Sequence, residues 1–410
     1  MSVTQSPEIL LPPEAVWSAG FDSARATDAY LATVPAADRA KSDAYFEGGY
    51  WIEAWSTLIT VALAWLMLRA RFGARLRDFA ERRTRGPFLQ AFIVALAFLV
   101  VLAIALLPWE MYVNFFREHQ YGMSNHTPGD YLGEWLIGTA LFSLVASLAI
   151  AGIYALVRKL RERWVWWATG VTAVFMLFMV LIEPVFVAPL FNDYQSLPDG
   201  EVRESILALA EETQIEANDV FWFDASRQTK RISANVSGIG GTMRIALNDN
   251  LLNGTTLPEI LAVMGHEMGH YRLRHAWWGT IELAVVFGFA YWVVNRTFGR
   301  FQRRYGERWG VRDLADPAGL PLVLAIFVAV VYLLSPVTNT ISRVAEHQAD
   351  AFGLEAAQEP HGFASIAMRL STYRKLEPSA LEEIIFFDHP SGRARVERAM
   401  SWLAEHPPAK

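Results

Sequence analysis

Three side chains in the run Val263-Met264-Gly265-His266-Glu267-Met268-Gly269-His270 are able to do chemistry together. On a helix, residues at i and i+4 share a face, so the imidazoles of His266 and His270 converge on one point. Two neutral imidazoles there make a site for a divalent metal such as zinc. The carboxylate of Glu267, beside the first His, is placed to take a proton from water held at that point. The constellation suits metal-assisted hydrolysis of a peptide bond. The same five-residue string also arises by chance on surface helices that bind nothing, so its surroundings must decide.

Those surroundings predict a well-defined helix. Thr256-Leu257-Pro258-Glu259 has the form of a capping box, with Thr256 as N-cap, Glu259 three positions on and Pro258 in the first turn. Leu257, Ile260, Leu261, Met264 and Met268 then recur at helical spacing, giving one apolar stripe. His275, five positions past His270, falls off the metal face and is expected at a loop or helix end.

A catalytic zinc takes three protein ligands and leaves a position open. The chain has no cysteine, so the third ligand must be a His or a carboxylate. Glu346 is the best candidate, in Asn339-Thr340-Ile341-Ser342-Arg343-Val344-Ala345-Glu346-His347-Gln348-Ala349-Asp350. Glu346 and Asp350 lie one turn apart, so both can face the site. Asp350 would accept the second ring N–H of a zinc-bound His and fix its tautomer. Arg343, near the same face, could hold a carboxylate or a developing oxyanion. His347 points about 100° away and ranks below Glu346. The bland alternative is a solvated face in which Arg343 pairs with Glu346.

The elements that must position these groups lie partly in a membrane. The hydrophobic fraction is 53% and the charged fraction 19%, against about a quarter charged in ordinary globular chains. A span needs about 20 mostly apolar residues. Six segments qualify, near 51–69, 88–108, 135–157, 164–190, 276–295 and 319–338. The fourth carries Glu183-Pro184 and Pro189, so its end should bend. Arginines crowd the links between the first and second, third and fourth, and fifth and sixth spans. By the positive-inside rule that side is cytoplasmic, and the HExxH segment faces outward. The formal net charge of −6 gives no sign of nucleic-acid binding.

Between the fourth and fifth spans, Gly200 to Thr213 reads as an amphipathic helix. Asp219–Asp224, Arg231–Ser237 and Met243–Asn248 read as strands, with Gly238, Gly240 and Gly241 turning between the last two. An edge strand of such a sheet can pair with an extended substrate. The chain thus divides into a polar tail (1–50), four spans (51–190), a catalytic part (191–275), two spans (276–338) and a C-terminal catalytic part (339–410). The fold class is mainly α: a polytopic helical membrane protein carrying a zincin-type metalloprotease domain with a small β-sheet.

Several motifs in matching order resemble one family. HEMGH at 266–270, NTISRVAEHQAD at 339–350 and His389-Pro390-Ser391 followed by Arg395 are similar to the M48 zinc metalloproteases, in their Ste24-like (type I CAAX prenyl protease) branch. The likeness extends to Glu183–Asn192, Ser233–Asn235 and Arg244–Asp249. It implies one zinc per chain, ligated by His266, His270 and Glu346, with Glu267 as catalytic base. It implies Asp350 as an acid described in the family as a proton donor. Asn235 would hold substrate backbone, and His389 and Arg395 would flank the cleavage site. It implies a peptide or protein substrate, lipidated if the likeness carries over in full, and contact with membrane lipid. That branch has seven spans where six are counted here, and its eukaryotic members turn the catalytic part to the cytosol. The alanine- and arginine-rich style suggests a bacterial inner membrane, where clearance of misfolded membrane-associated polypeptides is the alternative role. A transporter or a scaffold with structural zinc is the rival of another class. The spans carry few charges, Glu183 being the clearest, and only three good ligands are present; both points favour an enzyme.

Overall fold

The computed structural model describes residues 8–238 and 243–408, so the predicted turn residues Gly240 and Gly241 lie outside the described part. The chain opens with α1 (Ser23–Ala32), capped by Asp22, whose carboxylate accepts from the backbone of Ala24 and Arg25. The helices α2 (Ala36–Arg69), α3 (Phe72–Arg83), α4 (Pro87–Met111), the short α5 (Arg117–Tyr121), α6 (Pro128–Leu160) and α7 (Trp164–Ile182) follow. Then come β1 (Tyr194–Ser196), α8 (Glu201–Glu212), β2 (Val220–Phe223), β3 (Ala234–Ser237), β4 (Arg244–Asn248), α9 (Asp249–Gly254) and α10 (Leu257–Arg272). The remainder is helical: α11 (His275–Trp309), α12 (Leu320–Leu333), α13 (Ser335–Ala357), α14 (Pro360–Leu370), α15 (Ala380–Phe386) and α16 (Gly392–Glu405).

Five of the six expected spans fall on long apolar helices: α2, α4, α6, α7 and α11. The sixth differs: residues 319–338 form the 14-residue α12 and the start of α13, bent by 52° between them, a broken or re-entrant segment rather than one straight span. The break between α6 and α7 is a reversal at Arg161, which takes a positive φ of 48°. The two helices return alongside each other, since a Cβ placed on Gly138 would lie 3.9 Å from the Phe191 ring. Gln228 Nε2 ties the same two ends, donating to Glu134 Oε1 at 2.9 Å and to the Phe191 carbonyl at 2.8 Å. The 19 residues of α7 rise about 28 Å, close to the apolar thickness of a bilayer. Beyond α7 the chain loosens into a π turn over Glu183–Val187 and a 3-10 turn over Ala188–Leu190, the bend that the prolines predicted. Leu136, Phe142, Val174, Phe178, Val285 and Phe289 are all exposed on these helices. So extensive an apolar exterior belongs against lipid.

The basic links gather at one end of the bundle. Buried Arg77 on α3 pairs with buried Asp316 at 2.6 Å, Arg312 pairs with Glu81 at 2.6 Å, and Arg158 donates to the Pro87 carbonyl at 2.9 Å. The opposite end carries the sheet and the remaining helices. The strand order is β1-β2-β4-β3, with β2 and β4 parallel and the other pairs antiparallel. This leaves β3 at an edge. Ile206 and Leu209 of α8, Ile245 and Leu247 of β4, and Ile260, Met264 and Met268 of α10 form the core beneath the sheet.

The first fifty residues differ from the expected polar tail. Ala15, Ala26 and Tyr30 are buried against α14 and α16, in a second core with Phe363, Val396, Met400 and Leu403. Tyr30 Oη lies 2.9 Å from His361 Nδ1. Residues 15–30 are therefore clamped to α14 and α16.

Candidate metal centre and active site

The capping box forms as the sequence predicts: Thr256 accepts from the Glu259 backbone N–H, and the Glu259 carboxylate accepts from the Thr256 N–H at 2.7 Å. The fully buried Glu259 also accepts from Ser365 Oγ and Arg369 Nε, which anchors the start of α10 to α14. Rigidity from a cap and from the anchoring of buried Glu259 is what the two histidines need downstream.

The partner helix approaches at backbone distance. A Cβ on Gly353 of α13 would lie 2.7 Å from the His266 nitrogen, and one on Gly265 would lie 2.9 Å from the Gly353 carbonyl oxygen. A Cβ on Gly269 would lie 3.1 Å from the Ala349 backbone in the same seam. Only hydrogens fit between the helices. The chain reaches this seam because α13 turns 52° away from α12 after Leu333.

The seam brings together the residues that sequence spacing singled out. His266 Nε2 and His270 Nε2 are 3.1 Å apart, His266 Nε2 is 3.3 Å from Glu346 Oε2, and His270 Nε2 is 3.2 Å from Glu346 Oε1. Tetrahedral zinc with bonds of about 2.0–2.1 Å separates its ligand atoms by roughly 3.3 Å. Two imidazole nitrogens and a carboxylate at that spacing fit such an ion. Asp350, with no exposed surface, stands 2.8 Å from His266 Nδ1, somewhat off the line of an ideal hydrogen bond. Burial works against charge on His266, but the carboxylates of Asp350 and Glu346 carry its pKa up to about 9. Burial would raise Glu346, yet the two imidazoles hold it well below the usual carboxylate range. Burial also pushes the Glu267 carboxyl upward, with His266 and His270 pulling the other way.

Other predicted residues take more particular places. Arg395 on α16 is buried and is committed to the site's own acids, with Nη2 2.8 Å from Glu346 and Nε 3.3 Å from Asp350. His389 lies in the loop before α16, its Nδ1 2.8 Å from Asp388 and its Nε2 3.4 Å from Glu346 Oε1. Asn235 sits in the middle of edge strand β3 and does not line the central cavity; its Oδ1 accepts from Ser237 Oγ at 3.2 Å. Arg343 corrects an expectation: its Nη1 donates to the carbonyls of Glu383 and Phe387, so it holds the end of α15 rather than facing an oxyanion. His347 turns to Arg398 at 2.7 Å.

Two residues gain roles that the sequence did not assign. His275 Nδ1 lies 2.9 Å from His270 Nδ1, and His275 Nε2 lies 3.0 Å from Gln348 Oε1. Gln348 and His275 thus orient His270 as Asp350 orients His266. Around the cluster is a cavity of about 300 Å³, lined by Ser233, Ala234, Glu267, Tyr373, Arg374 and His389 among others. The arrangement can hold one metal, a water beside Glu267 and an extended chain along β3.

Comparison with known proteins supplies the family and the fold. The Peptidase family M48 profile matches residues 196–403, and the profile of the CAAX prenyl protease N-terminal region, described as five membrane helices, matches residues 24–193. The matched N-terminal stretch contains four long apolar helices here. The chain is 28% identical over 349 residues to the uncharacterized metalloprotease YhfN of Bacillus subtilis, covering 83% of this chain and 81% of that one. It is 28% identical over 255 residues to a CAAX prenyl protease 1 homolog of Oryza sativa, covering 62% of this chain and 60% of the plant protein. The crystal structure of S. mikatae Ste24p superposes with a TM-score of 0.76 at 19% identity, over 95% of this chain and 93% of that one. At that identity the likeness speaks to the fold.

Proposed function

The chain belongs to peptidase family M48 and is a multi-pass membrane metalloprotease; from that premise we propose that His266, His270 and Glu346 hold a single zinc ion and that Glu267 is the catalytic base. The observation that carries this reading is the mutual spacing of the three ligand atoms, 3.1–3.3 Å, directly beside the Glu267 position. A zinc ion in that set supplies a Lewis acid for the scissile carbonyl and lowers the pKa of water towards about 7.

The chain's own groups do the rest. Glu267 takes a proton from the attacking water and returns it to the leaving amine, and burial that raises its pKa suits it to hold that proton between the two steps. Asp350 and the His275–Gln348 pair fix the rings of His266 and His270. Arg395 neutralises Glu346 and Asp350 together, which makes it a positioning residue. Full burial of Asp350 likewise favours positioning over proton donation to a leaving group. His389, its Nδ1 taken by Asp388, presents Nε2 to the cavity and is placed to donate to the oxyanion. Edge strand β3 accepts the substrate backbone, with Asn235 flanking it.

Glu267→Gln tests the base. The expected protein keeps zinc and loses about 10²–10⁴-fold in peptide hydrolysis, whereas His266→Ala loses both. Wild-type turnover in the Gln variant would refute the assignment.

The substrate is a polypeptide delivered at the membrane. C-terminal processing of CAAX-type proteins follows the names of the eukaryotic relatives; clearance of misfolded membrane-associated chains is the second reading, favoured by the bacterial relative and by the composition of a bacterial inner-membrane protein. Trapping with Glu267→Gln separates them: enrichment of prenylated C-termini alone would eliminate clearance. The gathering of basic links at the end away from the site supports an outward-facing active site. A single cysteine at Arg75 should be shielded from an impermeant thiol reagent in intact cells, and one at Asp199 should react; the reverse pattern overturns the orientation.

A further inference from the structure

The stretch between α14 and α15 is pinned on both sides. Lys375 pairs with Glu47 at 2.6 Å and Glu382 at 2.8 Å, Leu376 is buried beneath Gly392, and the Arg374 carbonyl accepts from Ser42 Oγ at 3.3 Å. So held, Arg374 lines the cavity that contains His266, Glu267 and His270. Its Nη1 is shut off from solvent and meets no hydrogen-bond acceptor among the described residues. The acids nearby are already matched. Glu346 is matched by Arg395 and the histidines, and Asp388 by His389. A guanidinium withdrawn from water with an open N–H calls for an anion that the folded chain does not provide.

We propose that Arg374 is the docking point for a substrate carboxylate, above all the terminal carboxylate of a chain cleaved close to its end. The inference deepens the peptidase reading and rests on it. A planar guanidinium matches a carboxylate in geometry as well as charge. Because the anchor and the metal cluster share one small cavity, only a few residues separate the anchored end from the bond that is cut. Arg374 then sets where cleavage falls, and the product released is a short C-terminal fragment. An acidic side chain near the scissile bond offers the same chemistry, and matched peptides separate the two sources.

The test uses the full-length, zinc-loaded protein in detergent, with peptides of one sequence ending in a free acid, in an amide, or in an amide with one Gln replaced by Glu. The expected result is a preference for the acid over the neutral amide of about 10- to 100-fold in kcat/KM, carried by KM. Arg374→Gln brings that ratio to near unity and Arg374→Lys keeps part of it. Recovery by the Glu-containing amide, lost again in Arg374→Gln, also supports a carboxylate anchor and identifies the side chain as its source. Equal cleavage of all three peptides by the wild type overturns the proposal without need of any variant. So does a preference that survives in Arg374→Gln. Failure to cleave any peptide removes the peptidase reading itself, a separate outcome from cleavage without preference.

Discussion

Gly353→Ala inserts one methyl group where the two metal-bearing helices touch. The added Cβ would stand 2.7 Å from the His266 nitrogen, and ordinary contact begins at 3.4 Å, so α13 must retreat by 0.7 Å (3.4 − 2.7). Overpacking of this kind costs about 1–3 kcal/mol. Alanine regains about 1 kcal/mol over glycine inside a helix. The net loss of stability is therefore modest, about 0–2 kcal/mol from the same two principles. The metal site is far less tolerant, because zinc–ligand distances hold to within about 0.2 Å. Glu346 and Asp350 ride on the displaced helix, so zinc affinity should fall about 10- to 100-fold, the usual scale for disturbed orienting contacts. Competition against a chromophoric chelator reads this directly, alongside thermal unfolding of the metal-free protein. Gly152→Ala on α6, with nothing within 4 Å of the new methyl, serves as the control and should bind zinc normally. Unchanged zinc affinity in Gly353→Ala would refute the claim that backbone contact sets the site.

The remaining predictions concern the charges around that seam. Asp350→Asn should keep the fold and lower zinc affinity about 10- to 100-fold; affinity equal to wild type would remove Asp350 from any role at His266. Glu346→Ala should lose the metal and destabilise the metal-free protein by less than the roughly 3–5 kcal/mol of a broken buried pair, because Arg395 keeps Asp350 at 3.3 Å; stoichiometric zinc at unchanged affinity would exclude Glu346 as a ligand. Burial holds the His361 pKa below its ordinary 6.5. The unfolded chain then binds the extra proton between that depressed value and 6.5, so this contribution to stability is present above 6.5 and is lost as pH falls through the window. Melting temperatures should drop on mild acidification, less steeply in His361→Gln, and identical slopes would refute the linkage.

The legible parts of this protein were those written in short-range pattern. The capping box before α10 and the i,i+4 histidines obey local geometry, and Glu346 with Asp350 obeys it again 76 positions later (346 − 270). What escaped depends on breaks and distant partners. His275 sits at a helix end, as its spacing predicts, but its contact with His270 depends on how the chain breaks there. Arg274 adopts a positive φ of 59° and starts a new helix, a break that no glycine announces. Arg343 was read from its own helix face, but its partners are carbonyls some forty residues on. The first fifty residues scatter their apolar groups too sparsely to show a helical stripe, and Ala26 and Tyr30 find cover only from α14 and α16. Arg374 lies in an irregular stretch where periodicity says nothing.

The order in which the site's parts occur along the chain has a consequence for biosynthesis. His266 and His270 are translated well before Glu346, and the groups that settle Glu346 and the cavity, His389 and Arg395, come later still, more than a hundred residues after His270. A chain still threading α11 and α12 into the bilayer therefore has no finished active site. Hydrolytic competence waits until α16 has been made and has docked, so the insertion machinery is spared from attack while those helices are placed.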